Sequence, residues 1–595
     1  MLGFVTSALL GSLVICTPNT IQEEEKPQAD PAPDLAGTNW VGSADTPVAV
    51  SFIALEFPAD GADQVRLTMP SALALGKLVD VGGEPGAPTI DLSAGGRTAR
   101  LHLEPSSDQI TGRMDVFDAD GVKVLQGFPL SLLPWPAPES LKTNDYYIGT
   151  LELPGGNELE LHLQVGFDAD VATARLGIPM QGVEGYPADA KRLENGWFIE
   201  TNFGTPVSME LEIGEDQSLN GVMSQSGAVI PVALKRVEDS EFKRDRRPQT
   251  PKAPFPYQTV EASIDHPDGH VLAGSLLLPD GVKNPPVAVL ITGSGPQDRD
   301  ESIMGHSPFL VLADHLARQG IASLRYDDRG FGDSTGEFST ALTSDFATDA
   351  LAAVEWLRAR EDVGGSAIGL IGHSEGALVA PMAIVEDPTI AFAVLMAGPG
   401  VDGGRILTSQ SERIMELQGT DPEAIEEIIT LHAEMMGLVR NEASDDELGS
   451  GYLALVGAQV ATVRSELGDE QADQILLEAR AKLAADPQPF TPWMVAFIRT
   501  DPREFLARLT CPVLAINGTN DVQVISELNL PEIDRAVTTG GGTVKVIEYD
   551  SLNHLFQKSE TGAVSEYATI ETTMEPEVLG DISTWILEVT RSSTP

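Results

Sequence analysis

The pentapeptide Gly372-His373-Ser374-Glu375-Gly376 stands with no spacer between an apolar run, residues 367–371, and an apolar helical pattern, residues 376–386. Few backbones accept that arrangement. A strand that turns directly into a helix needs very small residues on both sides of the turn, because the two elements then approach within side-chain distance. The run at 367–371 is continuously apolar, as expected of a strand covered on both faces. This region is therefore committed to a mostly parallel sheet with helices on either side.

The flanking sequence keeps the same rhythm. Residues 259–264 and 272–278 flank Asp268-Gly269 and predict an opening hairpin. Residues 287–292 read as a buried strand, and Ser307-Pro308 opens a helix that ends at Gly320. A strand at 321–326 follows. A helix over 345–360 then places Phe346, Ala350, Val354 and Leu357 on one face. Strands are predicted at 391–397, 512–517 and 543–549, and a closing helix at 577–590. Between 401 and 509 the strands stop and four helical patterns succeed one another, at 406–417, 421–438, 446–467 and 472–485. Inserted after the strand at 391–397, they predict a helical cap over the strand ends, within an α/β domain spanning 257–595.

Residues 37–236 read differently, as short alternating runs separated by Gly, Asp, Asn and Pro clusters, which predicts an all-β domain. It also matches itself. Arg66-Leu-Thr-Met-Pro70 resembles Arg175-Leu-Gly-Ile-Pro179, Gly112-Arg-Met114 resembles Gly221-Val-Met223, and Trp40-Val-Gly42 resembles Tyr147-Ile-Gly149. The offsets are all a little over a hundred residues, so an internal duplication is expected, with repeats at about 37–136 and 146–236. The charged and then Pro-rich stretch 237–256 reads as a linker. Residues 1–36 read as a short apolar, signal-like segment followed by a Glu/Pro-rich tether, which predicts export to the periplasm or medium; a cytoplasmic location is the alternative.

Composition narrows the function. With 89 Asp plus Glu against 38 Lys plus Arg, the formal charge of -51 repels phosphate backbones and anionic lipid, so nucleic acid is not an expected partner. The apolar N-terminal run is too short for a comfortable span, and no membrane span is expected in the mature protein. Two cysteines, Cys16 and Cys511, leave one thiol in the folded body. No zinc-type Cys/His spacing and no H-E-x-x-H run occurs, so neither a metal nor another cofactor is expected. The expected partner is a small-molecule substrate.

The chemistry rests on Ser374. A hydroxyl is a weak nucleophile without a base, and the base needs a carboxylate to orient it. On a strand–turn–helix of this kind the acid and then the base follow the serine in the chain. Two histidines lie downstream, His432 and His554. His432 falls inside a helical pattern, whereas His554 follows the last strand by a short loop, so His554 is preferred. For the acid, Asp521 follows the strand at 512–517. Asp402 is the alternative, and Asp550 reads as a turn residue. The oxyanion is expected to meet the backbone N–H groups of Glu375 and of Ser294, with Gly295 as second choice for the latter. The charged run Asp298-Arg-Asp-Glu301 reads as an ion-paired support for the loop after 287–292, and Asp327-Asp-Arg-Gly-Phe-Gly-Asp-Ser334 as a hydrogen-bonded turn supporting these loops.

From residue 287 onward the segments G-S-G-P-Q-D-R-D-E, L-R-Y-D-D-R-G-F-G-D-S-T-G, G-H-S-E-G, N-G-T-N-D-V-Q-V and L-N-H-L-F-Q resemble a bacterial family of two-domain α/β-hydrolase carboxylesterases, related to the serine aminopeptidase-like hydrolases. The resemblance implies a serine carboxylesterase that works through an acyl-enzyme, and its catalytic triad falls on Ser374, Asp521 and His554. Two features depart from the common pattern: Thr292 stands where a His-Gly pair is usual, and the cap is long. A serine exopeptidase or amidase on the same fold is the first alternative. A non-catalytic envelope or polysaccharide-binding protein is the second.

Overall fold

The computed structural model describes residues 35–591, apart from the loops at 46–49, 59–63, 70–73, 85–86, 95–96, 107–108, 118–122, 135–142, 153–157, 169–170, 179–182, 203–205, 226–227 and 243–245 and residue 487. The expected signal-like segment and Cys16 lie outside the described residues. The chain divides into two compact units, Met1–Arg244 and Asp245–Pro595.

The first unit contains two closed antiparallel barrels of eight strands each. The first runs through β1 (Asn39–Asp45), β2 (Val50–Glu56), β3 (Gln64–Met69), β4 (Ala74–Glu84), β5 (Ala87–Ala94), β6 (Arg97–Pro105), β7 (Ile110–Phe117) and β8 (Lys123–Pro134). The second runs through β9 (Thr143–Glu152), β10 (Glu158–Asp168), β11 (Val171–Ile178), β12 (Val183–Leu193), β13 (Gly196–Asn202), β14 (Pro206–Ile213), β15 (Leu219–Gln225) and β16 (Ala228–Val237). In each, the first strand pairs with the last, so neither sheet has an edge. Side chains alternate in and out, and the interiors fill with residues such as Ile53, Leu67, Leu101, Leu163, Ile199 and Leu211. The sequence matches fall on equivalent strands. Trp40 and Tyr147 lie on the first strand of each barrel, Arg66 and Arg175 on the third, Gly112 and Gly221 on the seventh. The pairing of third with fourth strand shifts register at Leu67/Met69 in one barrel and at Leu176/Ile178 in the other. A Cβ on Gly112 or Gly221 would sit 1.9 Å from a carbonyl oxygen of the neighbouring strand, so only glycine fits at either position.

The segment read as a linker is divided. Its start continues β16 and forms a single helical turn, α1 (Asp239–Phe242). Its later part belongs to the second unit. Arg247 donates to the carbonyls of Met304, Ala568 and Ile570, and Gln249 pairs with the main chain of Thr573 and Met574.

The second unit is built on an eight-stranded sheet. Its strands are β17 (Tyr257–Asp265), β18 (Val271–Pro279), β19 (Val287–Ile291), β20 (Ala322–Tyr326), β21 (Ile368–His373), β22 (Ala393–Met396), β23 (Val513–Gly518) and β24 (Val544–Tyr549), in the spatial order 17-18-20-19-21-22-23-24. The hairpin β17–β18 is antiparallel and the six strands from β20 to β24 run parallel. Helices α2 (Pro308–Arg318), α3 (Thr343–Arg358) and α4 (Gly376–Glu386) cross between strands. The central strands are buried on both faces, which explains their unbroken apolar runs. Each fully buried Leu or Ile there contributes about 1.5–3 kcal/mol.

Between β22 and β23 lies a helical insertion of α5 (Gly403–Leu417), α6 (Pro422–Arg440), α7 (Asp445–Leu467), α8 (Asp469–Ala485) and α9 (Pro492–Arg499). Side chains cap four of these starts: Asp402, Asp421, Ser444 and Thr491 accept from backbone N–H groups of the first turns. The insertion has a small apolar core of its own around Met415, Ile428, Met435 and Val439. Helix α9, opened by Thr491-Pro492, was not expected from the sequence. The short α10 (Arg503–Leu506) leads back to the sheet, and α11 (Ser526–Thr539) and α12 (Pro576–Arg591) complete the unit. Among the described residues no helix is long and apolar enough to cross a membrane. Cys511 is buried, and burial pushes its thiol up to about 11.

Candidate active site

Ser374 sits at the turn from β21 into α4 with φ of 54°, a left-handed backbone that costs a side-chain-bearing residue about 1–2 kcal/mol. The surrounding packing holds it there. The Ser374 N–H donates to Met396 O at 2.9 Å, and a Cβ on Gly376 would come within 2.2 Å of Ile291 O. Glycine at 376 thus lets the helix start against the neighbouring strand, and the serine is presented half-buried at the end of the sheet.

Two strands further along, the loops after β23 and β24 bring Asp521 and His554 together. His554 Nδ1 lies 2.7 Å from Asp521 Oδ2. The other carboxylate oxygen accepts the N–H groups of Gln523 and Val524 at 2.8 and 2.9 Å, which fixes the carboxylate plane. Both residues are buried. With the Nδ1 proton held by Asp521, Nε2 is the nitrogen left to take a proton from a hydroxyl. Asp402 does something else: it caps α5 through the Arg405 N–H and pairs with Arg440. His432 is enclosed in the insertion beside Thr408, where burial lowers its pKa to about 4.

The loop after β19 passes close to the serine, since a Cβ on Gly293 would lie 3.2 Å from that of Ser374. Gly293 spends its own N–H on Glu301 at 3.1 Å. The N–H groups of Ser294 and Glu375 donate to no protein acceptor among the described residues, so two donors at this end of the sheet are available to a developing oxyanion. The charged runs brace the loop. Asp327 accepts the backbone N–H and guanidinium of Arg299, Asp300 pairs with Arg325, and Asp328 accepts Thr292 Oγ1 at 2.8 Å and the Gln297 N–H at 2.9 Å. Thr292 therefore serves as a hydroxyl support for a buried acid. Burial raises Asp328 well above the carboxylate range.

The Glu375 side chain is buried as well, at 3% exposure. Its Oε1 accepts from Thr343 Oγ1 at 2.6 Å and from Trp493 Nε1 at 2.8 Å. Burial raises its pKa, against the hydrogen bonds from Thr343 and Trp493. Trp493 belongs to α9, so this contact escaped the sequence reading; the T-P-W opening at 491–493 was the available signal.

His266, His270 and Asp349 place three potential metal-ligand atoms within 4.8 Å of one another. Both oxygens of Asp349 are engaged by the Arg329 guanidinium, at 2.7 and 2.9 Å, and His270 Nε2 lies 2.9 Å from one of them. The arginine already supplies the positive charge that a cation would bring, so the cluster is a structural pair between α3 and the loop after β20.

The family described as X-Pro dipeptidyl-peptidase (S15 family) matches residues 268–530, a span that contains Ser374 and Asp521 and ends before His554. Esterase EstD of Thermotoga maritima is 27% identical over 386 residues, covering 64% of this chain and 79% of that protein. Among solved structures, the Pyrococcus furiosus esterase Pf2001 aligns with 56% of this chain and 91% of its own, at 16% identity and a TM-score of 0.35. Est1E from Butyrivibrio proteoclasticus, solved with ferulic acid bound, aligns with 56% of this chain and 100% of its own, at 16% identity and a TM-score of 0.34.

Proposed function

We propose that this hydrolase, an α/β-hydrolase that fits the serine aminopeptidase-like carboxylesterases, cleaves carboxylic esters through an acyl-enzyme formed on Ser374. One observation carries the reading: a buried His554–Asp521 hydrogen bond of 2.7 Å at the same end of the sheet as a strained serine. In this reading Nε2 of His554 takes the Ser374 proton as the oxygen attacks the ester carbonyl. The oxyanion is held by the N–H groups of Ser294 and Glu375. His554 then returns its proton to the departing alcohol, and water repeats the cycle to release the acid. Asp521 keeps the imidazole in one tautomer and stabilises its charge. The helical insertion acts as the cap that sets which esters reach the serine.

The S15 match keeps a second reading open, hydrolysis of peptide or amide bonds by the same residues. An amide needs a protonated leaving nitrogen and a subsite for the peptide, so the two readings separate on substrates. A fluorophosphonate probe should label Ser374, and hydrolysis should be measured on p-nitrophenyl esters of graded chain length beside amino-acid and X-Pro anilides. Ester turnover with anilides untouched supports the esterase; the reverse supports the peptidase. A Ser374 that the probe does not label would end both.

A further inference from the structure

A second buried polar pair lies beneath the proposed catalytic residues. His373 precedes Ser374, and Glu301, from the loop after β19, faces it with its backbone in the left-handed region at φ of 55°. Both are buried. His373 Nδ1 lies 2.8 Å from Glu301 Oε1, and His373 Nε2 lies 2.9 Å from the carbonyl oxygen of His554. A carbonyl oxygen can only accept, so Nε2 must carry a proton. Glu301 Oε1 also accepts the Gly293 N–H at 3.1 Å. An oxygen already facing one donor is placed to accept from a second, which puts the other proton on Nδ1.

We infer that His373 is a doubly protonated positioning residue that, paired with Glu301, clamps the main chain of His554 and the oxyanion loop at Gly293 to the turn bearing Ser374. Three separate loops are tied by one side-chain pair. Burial works against a charge on His373, but the Glu301 carboxylate, its hydrogen bond, the His554 carbonyl and the more distant charge of Asp521 together hold its pKa above the ordinary value. The other groups packed on the imidazole are the His554 ring, with centroids 4.7 Å apart, and the Phe556 ring at 6.5 Å. A neutral imidazole facing the ionised carboxylate would keep only one of the two hydrogen bonds. Losing the proton thus loosens the base and the oxyanion loop together.

The catalytic consequence rests on the reading of Ser374 and His554 given above; the protonation state does not. The test uses the full chain and Glu301→Gln, which keeps the side-chain size and removes its charge. In native protein labelled with ¹⁵N-histidine, the signal lost in His373→Gln should show protons on both ring nitrogens at neutral pH. Rates on p-nitrophenyl acetate should fall on the alkaline side as that proton leaves. In Glu301→Gln the alkaline fall should move down by about one pH unit or more, and kcat should drop about 10-fold with KM within about twofold. A His373 with one bare ring nitrogen in the native protein at neutral pH overturns the inference, as does an alkaline limb that Glu301→Gln leaves in place. A chain with no hydrolytic activity would defeat the proposed function, and the nitrogen signals would still decide the protonation of His373.

Discussion

Trp493 donates its indole N–H to Glu375, so the helical insertion is hydrogen-bonded to the residue directly after Ser374. Glu375 thereby has two tasks in the proposed mechanism, a backbone N–H for the oxyanion and a side chain that holds α9.

Trp493→Phe removes that hydrogen bond while keeping an aromatic ring. A net loss of about 1 kcal/mol in how firmly the insertion is held should appear mainly in KM for long-chain esters, by roughly fivefold, with kcat on the acetate ester little changed. Steady-state kinetics across chain lengths check this. Equal KM values for all esters before and after the substitution would detach the insertion from substrate selection.

Asp521 and Asp402 offer a direct comparison. Asp521→Asn should lower kcat by about 10⁴-fold, because the amide lets the imidazole adopt the wrong tautomer. Asp402→Asn should leave kcat near native and lower thermal stability instead, since it loses the charge facing Arg440 at the start of α5. Kinetics and melting curves on both variants separate the roles. The opposite pattern would move the acid to Asp402.

His306 is buried, with Nε2 at 2.8 Å from the Tyr567 carbonyl, and burial together with the Arg247 charge lowers its pKa to about 4. His432 is lowered to about 4 by burial alone. Each is neutral in the folded protein, while the unfolded chain takes up a proton below its ordinary 6.5. The sign follows: their contribution is complete above pH 6.5 and is lost as the pH falls toward 4, by at most about 1.4 kcal/mol per unit for each histidine. Urea midpoints measured from pH 7.5 to 4.5 should fall, and His306→Gln should flatten part of that slope. An identical slope in the variant would mean that His306 is already charged when folded.

Arg247 and Gln249 lead to a test of where the second unit begins. A chain starting at residue 245 should fold and keep esterase activity on small substrates. One starting at Pro251 loses the charged hydrogen bonds from Arg247 to three carbonyls and the paired contacts of Gln249, a cost of at least about 3 kcal/mol. Its melting temperature should be lower by roughly 5 °C or more. Equal melting temperatures would show that the segment contributes nothing.

The parallel sheet was legible because its strands are buried on both faces: Val287–Ile291, Ala393–Met396 and the stretch 513–516 are apolar without interruption, and so is the run that leads into the turn at Ser374. Asp521 and His554 could be paired from chain order together with their place in loops after strands, which set them apart from Asp402 and His432. His373 and Glu301 could not. They stand 72 positions apart, one beside a residue with a louder role and the other inside a charged run. Arg247 escaped for a different reason: its partners are main-chain carbonyls, which leave no trace in side-chain composition. The charged and Pro-rich composition of 237–256 reads as a linker, whereas Arg247 and Gln249 on either side of Pro248 are bonded into the second unit.

The barrels carry a matching register shift at Leu67/Met69 and Leu176/Ile178, and each is sealed by its own first and last strands. Adjacent sheets with the same strand order run the hazard of trading partners while they fold, since a strand from one can dock where its counterpart belongs. Sealing each barrel within about a hundred residues removes the open seat that such an exchange requires. A substitution in one interior therefore acts on the packing of that barrel alone, because each core is enclosed by its own eight strands.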